Sequence, residues 1–288
     1  MKPGQFTYHA PKTVDEAVAI LSTVAGVDGR VIAGGQSLVP AMALRLALPA
    51  HLVDINGIAG LDRVDADGDE LVIGACVRHA AFERPVTGGP LGILLAAVVQ
   101  HIAHYPIRTR GTFCGSIAHA DPASEWCLVA ATLGARMEAR SARGSRIIAE
   151  PGFFQGMMST ALAADEMLVE TRLPLLGADT RCGFNEFNRR AGDFAIAMAL
   201  ATYRVDSNGR IVEPRIGVGA VEASPRRIAG AEAALAGQQP GTAAFDAAAG
   251  AAALAVDPIE QNAELAGYKR DVVRAVVKRA LEMAEKSR

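Results

Sequence analysis

The chain has 288 residues, half of them hydrophobic and 21% charged. That length exceeds one ordinary domain and suits two or three compact units of roughly 100 residues each, in a globular and not a disordered protein. The net charge of -2 offers no concentrated basic field for nucleic acid or an anionic membrane surface. No run of about 20 apolar residues is present, and Met1–Gln5 lacks the charged-then-apolar layout of a secretory signal, so a cytoplasmic location is expected.

Thr13 and Glu16 form a capping box ahead of Val14, Ala17, Val18 and Leu21, which predicts a first helix. Strands are expected at Arg30–Ala33 and His51–Ile55, with a helix at Leu38–Leu46 between them, an α/β pattern. A strand at Glu70–Val77 follows, then helices at Leu91–Ile102 and Glu125–Leu133 separated by a loop at Gly111–Ser116. A hairpin joins Met137–Arg140 to Ser145–Ile148, and Met167–Leu173 closes a second expected α/β unit before Pro174. Beyond it, Cys182–Arg189, Ala195–Val205 and Arg210–Val221 read as strands, the last two joined by a tight turn at Ser207-Asn208-Gly209. Helices at Ala229–Leu235, Thr242–Val256 and Tyr268–Lys286 complete an α+β arrangement, an antiparallel sheet with helices on one face. No internal repeat stands out.

The cysteines at 76, 114, 127 and 182 form no C-x-x-C pair, which argues against a disulfide framework, a zinc finger or an iron–sulfur cluster held by this chain alone. Two glycine loops carry more chemistry: Ala33-Gly34-Gly35-Gln36-Ser37 and Gly111-Thr112-Phe113-Cys114-Gly115-Ser116. Glycines let a ligand approach the backbone, hydroxyls donate, and successive amides make a nest for an anion; two such loops face to face would grip both phosphates of a dinucleotide. Taken singly, either loop is more often a plain turn. Neither a G-x-x-x-x-G-K-[ST] nor a helix-opening G-x-G-x-x-G occurs.

Four motifs in order decide between these readings. They are Ala33 through Leu38; Ile107 through Thr112 running into Gly115 through Pro122; Glu166-Met167-Leu168 before Leu173-Pro174; and Arg189-Arg190-Ala191-Gly192-Asp193-Phe194-Ala195. Over nearly its whole length the chain resembles the medium, flavin-binding subunits of the xanthine dehydrogenase and carbon monoxide dehydrogenase group of molybdenum hydroxylases. The resemblance implies a two-part FAD-binding region of the vanillyl-alcohol-oxidase (PCMH) type, residues 1–58 and 59–176. A C-terminal domain of the CO-dehydrogenase-flavoprotein kind would follow over residues 177–288.

It also implies that Ala33, Gly34, Gly35, Gln36, Ser37 and Leu38, with Thr112, Phe113, Cys114, Gly115 and Ser116, hold the FAD pyrophosphate. Ile102 matches a position that touches the cofactor, Leu168 one whose backbone meets the flavin ring, and Asp121 and Glu125 acidic positions near its sugar-like chain. Gln36 stands where some flavoproteins of this fold place a linking histidine; an amide cannot form that bond, so the FAD is expected to be noncovalent. Two departures are Cys114, where the family often has glycine, and Asn185, where the xanthine dehydrogenase branch often has lysine. A β-carbon in left-handed backbone would cost about 1–3 kcal/mol at position 114.

The implied activity is that of an oxidoreductase subunit with no catalytic acid or base of its own. The molybdenum cofactor would lie in a large partner subunit and 2Fe-2S clusters in a small one, with two copies of each of the three chains expected and electrons leaving the flavin for an external acceptor. A self-sufficient flavin oxidase or reductase of the same fold is the alternative, and a scaffold subunit without cofactor a third.

The remaining candidates carry weaker signals. His101 and His104 lie three apart but without an HExxH arrangement. Ser116, His119 and Asp121 are too close in sequence for triad geometry, so His119 is expected to order its loop, and Trp126 to pack. The arginines at 140, 143 and 146 read as a solvated face. For Arg189 and Arg190 an exposed charged turn and a positive field beside the flavin remain equal readings.

Overall fold

The computed structural model describes residues 2–260 and 262–287. Its first sheet holds β1 (Thr7–His9), β2 (Gly29–Ile32) and β3 (His51–Asp54) in the order β1-β3-β2, all parallel. Between β1 and β2, α1 (Val14–Val24) buries Ala17, Val18, Leu21 and Val24, the stripe that its spacing requires. The Glu16 amide donates to Oγ1 of Thr13 at 3.1 Å, while the Glu16 carboxylate reaches one residue further back than a capping box expects, to the Lys12 amide at 2.7 Å. After the first glycine loop, α2 runs only over Leu38–Ala43, because the chain turns out of the helix through Arg45 at φ 63°.

The second sheet differs from the expected α/β unit. It comprises β4 (Val64–Asp67), β5 (Glu70–Gly74), β6 (Arg136–Ser141), β7 (Gly144–Ala149) and, after a small hairpin of β8 (Phe154–Gly156) with β9 (Ser159–Thr160), β10 (Met167–Pro174). The order β4-β5-β10-β6-β7 is antiparallel throughout. β4 escapes sequence reading because Val64-Asp65-Ala66-Asp67 is a short, mostly polar edge strand held by its hydrogen bonds to β5, with Val64 against the core and Asp67 paired with Arg172.

Four helices lie between β5 and β6: α3 (Gly89–Val98), α4 (Tyr105–Arg108), α5 (Phe113–His119) and α6 (Glu125–Leu133). Every residue of α6 from Trp126 to Leu133 is buried, which explains why the segment carries no amphipathic stripe. The segment expected as a loop at Gly111–Ser116 is helical from Phe113 onward. Thr112 caps that helix, its Oγ1 accepting the Gly115 amide at 3.0 Å.

The third sheet, β11 (Arg181–Phe187), β12 (Ala197–Val205), β13 (Ile211–Gly219) and β14 (Arg226–Arg227), is antiparallel in that order. The helices α7 (Ala229–Leu235), α8 (Thr242–Ala255) and α9 (Ala263–Lys286) form a second core with it, built on Ala197, Ala199, Ala201 and Tyr203 of β12. The alternate residues Met198 and Leu200 join the first core. This sheet is therefore covered on both faces, and the strict period of two in β12 divides its side chains between the C-terminal helices and the N-terminal region. α9 begins five residues before the expected Tyr268, since Asn262 caps it by accepting the Glu264 amide at 2.8 Å.

Candidate functional site

The two glycine segments, 77 residues apart in sequence from Gly34 to Gly111, touch. A β-carbon on Gly34 would stand 2.3 Å from the carbonyl oxygen of Arg110 and 2.7 Å from Cα of Gly111, so only glycine permits the approach. Gly35 has φ +71°, and a β-carbon on Gly115 would fall 2.5 Å from the capping oxygen of Thr112. Gly35 O accepts from the Val39 amide and Ser37 O from the Ala41 amide, so the amides of residues 34–38 precede the first helical hydrogen bond and have no earlier turn to donate to.

Both segments line one cleft of about 490 Å³, a volume typical of cofactor sites. Ala33, Gly34, Gly35, Gln36, Ser37 and Leu38 line it from one side, and Thr112, Cys114, Gly115 and Ser116 from the other. Leu168 lines it too, at the start of β10 where the pairing with β6 slips by a bulge. The structure thus brings together eleven of the fifteen residues singled out from sequence. The side chain of Phe113 lies instead in an aromatic cluster with Phe82 and Trp126, fully buried. Ile102, Asp121 and Glu125 lie outside that cleft lining.

Cys114 has ordinary helical backbone, so the strain considered for a side chain at this position does not arise. Its thiol is buried between the carbonyl of Ile73 and Oγ1 of Thr171, each at 3.3 Å, and burial pushes its pKa up to about 12. His79, unremarkable in sequence, also lines the cleft. Burial, aided by the charges of Arg78 and Arg108, lowers its pKa to about 4, so it is neutral. Because its Nδ1 accepts from the indole N–H of Trp126 at 2.9 Å, the proton sits on Nε2, the nitrogen beside Gly111. Trp126 therefore packs, as expected, and also fixes a histidine tautomer.

A second group gathers where α3 meets β11, near Glu125 at the start of α6. His101, in the turn after α3, stacks edge-on against Phe184 at 5.0 Å and holds Nδ1 3.9 Å from Oε2 of Glu186. The Glu186 side chain is wholly buried; Oε1 accepts from Asn188 at 2.9 Å and Oε2 has no hydrogen-bond partner among the described residues. Burial raises its pKa to about 7, and burial together with the nearby Glu186 and Asp121 charges raises that of Glu125 to about 8. Asn185 falls on the opposite face of β11, with Gly183, whose backbone abuts Ala280 of α9; the Asn185 amide oxygen is buried without a partner among the described residues.

His104 lies against Gly192, where a β-carbon would meet its ring at 2.5 Å, so the Arg189–Phe194 turn folds back on the segment following α3. Oδ1 of Asp121 accepts the Ala123 amide at 2.9 Å, and His119 lines the cleft. The middle arginine cluster is paired, Arg140 with Asp15, Arg143 with Asp165 and Arg146 with Glu166; Arg143 and Arg146 are exposed, in keeping with a solvated face, whereas Arg140 is half-buried. No helix among the described residues is long and apolar enough to cross a membrane.

Residues 4–176 match the family described as the FAD binding domain in molybdopterin dehydrogenase, and residues 183–284 match the CO dehydrogenase flavoprotein C-terminal domain. The nicotine 6-hydroxylase medium subunit of Paenarthrobacter nicotinovorans is 36% identical over 282 residues, covering 98% of both chains. The carbon monoxide dehydrogenase medium chain of Hydrogenophaga pseudoflava is 36% identical over 285 residues, 99% of this chain and 98% of its own. Among solved structures, carbon monoxide dehydrogenase from the same organism superposes with a TM-score of 0.93 at 36% identity, covering 100% of this chain and 99% of its own. Quinoline 2-oxidoreductase from Pseudomonas putida 86 gives 0.91 at 32%, with the same coverage. The chain belongs to the FAD-binding medium subunits of the molybdenum hydroxylase family, of the carbon monoxide dehydrogenase type, and is an oxidoreductase subunit.

Proposed function

We propose that this chain relays electrons through a noncovalently held FAD, from iron–sulfur clusters of a partner subunit to an external acceptor. Bound FAD would supply the chemistry, accepting electrons singly and releasing them singly or in pairs. The single observation that carries the reading is the contact between the two loops, where Gly34 and Gly111 allow an approach of backbone to backbone that any β-carbon would block. The fit is good: amides before α2, the Thr112 cap of α5 and the hydroxyl of Ser37 converge on one cleft suited to a pyrophosphate. The protein's part is to bind, orient and shield. His79 is held neutral beside the second loop. Glu125, which feels the charges of Glu186 and Asp121, would with Asp121 and Ile102 contribute contacts to the cofactor beyond the cleft.

The partners in this reading are a molybdenum-cofactor large subunit and a 2Fe-2S small subunit, with two copies of each of the three chains, in the cytoplasm. The named relatives are themselves medium chains or subunits of such enzymes. Functional division of the chain would follow residues 1–58, 59–176 and 177–288. Acid precipitation should release all flavin into the supernatant as FAD, and flavin left in the pellet would refute noncovalent binding. Co-expression with the partner subunits should give an assembly containing iron and molybdenum, while rapid flavin reduction by an organic substrate in the isolated chain would favour a self-sufficient oxidase.

A further inference from the structure

Two side chains outside the cleft lining connect its loops from behind. Asn56, just after β3, donates through Nδ2 to the carbonyl oxygen of Ala33 at 2.7 Å and to Oδ1 of Asp54 at 2.6 Å. Its Oδ1 accepts from a terminal nitrogen of Arg78 at 2.6 Å. The other terminal nitrogen of Arg78 donates to the carbonyl oxygen of Arg110. Ala33 and Arg110 are the residues immediately before Gly34 and Gly111. One side-chain relay thus joins the carbonyl that opens the first loop to the carbonyl that opens the second.

The relay has a defined direction. Reversing the Asn56 amide would set its oxygen against two acceptors and its NH₂ against a guanidinium, so only the observed orientation satisfies all three contacts. Asp54 holds it there, accepting the Asn56 backbone amide at 2.9 Å through Oδ1 and the Tyr8 hydroxyl at 2.5 Å through Oδ2. Burial works to raise the pKa of Asp54, yet the bonds from Tyr8 and Asn56 and the charge of Arg78 outweigh it and keep the carboxylate ionised. Because a trans peptide points its N–H opposite to its C=O, fixing Ala33 O on Asn56 also fixes the direction of the Gly34 amide. The direct contact between the loops is glycine backbone against backbone, which permits close approach but supplies no directional bond of its own.

We propose that Asn56 and Arg78 are positioning residues that set the spacing of the two glycine loops and thereby make the site selective for a diphosphate over a monophosphate. The proposal rests on the reading that these loops hold the FAD pyrophosphate. A monophosphate needs only one loop, so its binding is indifferent to the spacing. A pyrophosphate bridges both, so its affinity falls when the loops drift.

The test measures dissociation constants of FAD and FMN for deflavinated wild-type protein and for Asn56→Ala, Arg78→Ala, Arg78→Lys and the double alanine variant, with melting temperatures of the flavin-free proteins. The expected result is a loss of FAD affinity of tenfold or more in each alanine variant, with FMN affinity within about twofold of wild type. The double variant should be no worse than the weaker single one, because either break severs the same relay. Arg78→Lys, which keeps the charge but lacks the fork, should not restore FAD affinity. Should Arg78→Ala fail to fold, Asn56→Ala, a truncation at an exposed side chain, carries the comparison. Equal weakening of FAD and FMN, or wild-type FAD affinity in Asn56→Ala, would overturn the relay while leaving the site reading in place. A wild-type protein with no preference for FAD over FMN would overturn both.

Discussion

The indole N–H of Trp126 donates to Nδ1 of His79 at 2.9 Å, joining the first residues of α6 to the turn that follows β5. Both side chains are buried, and the bond sets which nitrogen of His79 faces Gly111. Trp126→Phe leaves that acceptor buried without a donor and is expected to cost about 1–3 kcal/mol of stability, read from the denaturant midpoint.

The same histidine makes stability depend on pH. Its folded pKa of about 4 lies below the ordinary 6.5, so the unfolded chain binds the proton more readily. This contribution is complete above pH 6.5 and is lost as the pH falls towards 4. Melting temperatures between pH 7 and pH 4 should fall more steeply for wild type than for His79→Asn.

Glu186 and Glu125 act in the opposite sense. Their folded pKa values, about 7 and about 8, lie above the ordinary 4.5, so stability is full below pH 4.5 and is lost as the pH rises through 7 and 8. Glu186→Gln keeps an acceptor for Asn188 and removes the buried charge. It should match wild type near pH 4.5 and exceed it at pH 8 by on the order of 2 kcal/mol, measured by urea unfolding.

Cys114→Gly tests whether the thiol packs or strains its helix. The buried sulfur bridges Ile73 and Thr171 on neighbouring strands of the second sheet, so the variant loses packing and gains helix-opposing freedom. It is expected to bind FAD and to be about 1–2 kcal/mol less stable than wild type by denaturant titration.

Valine at Gly35 or Gly115 is expected to abolish FAD retention in a folded protein. At Gly35 the obstacle is a positive φ, at Gly115 the Thr112 hydroxyl 2.5 Å from the new β-carbon. Flavin absorbance and far-ultraviolet circular dichroism, taken on the same samples, separate lost binding from lost fold. Full flavin content in both variants would refute the assignment.

Local patterns that are complete within one segment were legible in the sequence. The Thr13 cap, the limits of α6 and α7, the hairpin of β6 with β7 and the turn through Gly209 each rest on a few neighbouring residues, and the structure places them where the sequence does. Both glycine loops were legible for the same reason, and their order along the chain carried the family. The helical character of Phe113–His119 was not, because Gly115 and the surrounding motif oppose a helix and only the Thr112 cap and burial beneath the second sheet enforce one.

The sequence by itself determined the fold class, the family and the residues of the two loops, since backbone freedom at Gly34, Gly35 and Gly115 is written in residue type. Tertiary structure alone decided what stands behind and between them. Asn56, Arg78, His79 and Glu186 have no motif, and each acquires its character from a partner far along the chain: the carbonyls of Ala33 and Arg110, the indole of Trp126, the ring of His101. Hydrogen-bond satisfaction and desolvation depend on which groups share a volume, and the antiparallel insertion of β10 between β5 and β6 and the docking of β11 against α3 assemble those volumes only when the chain is folded.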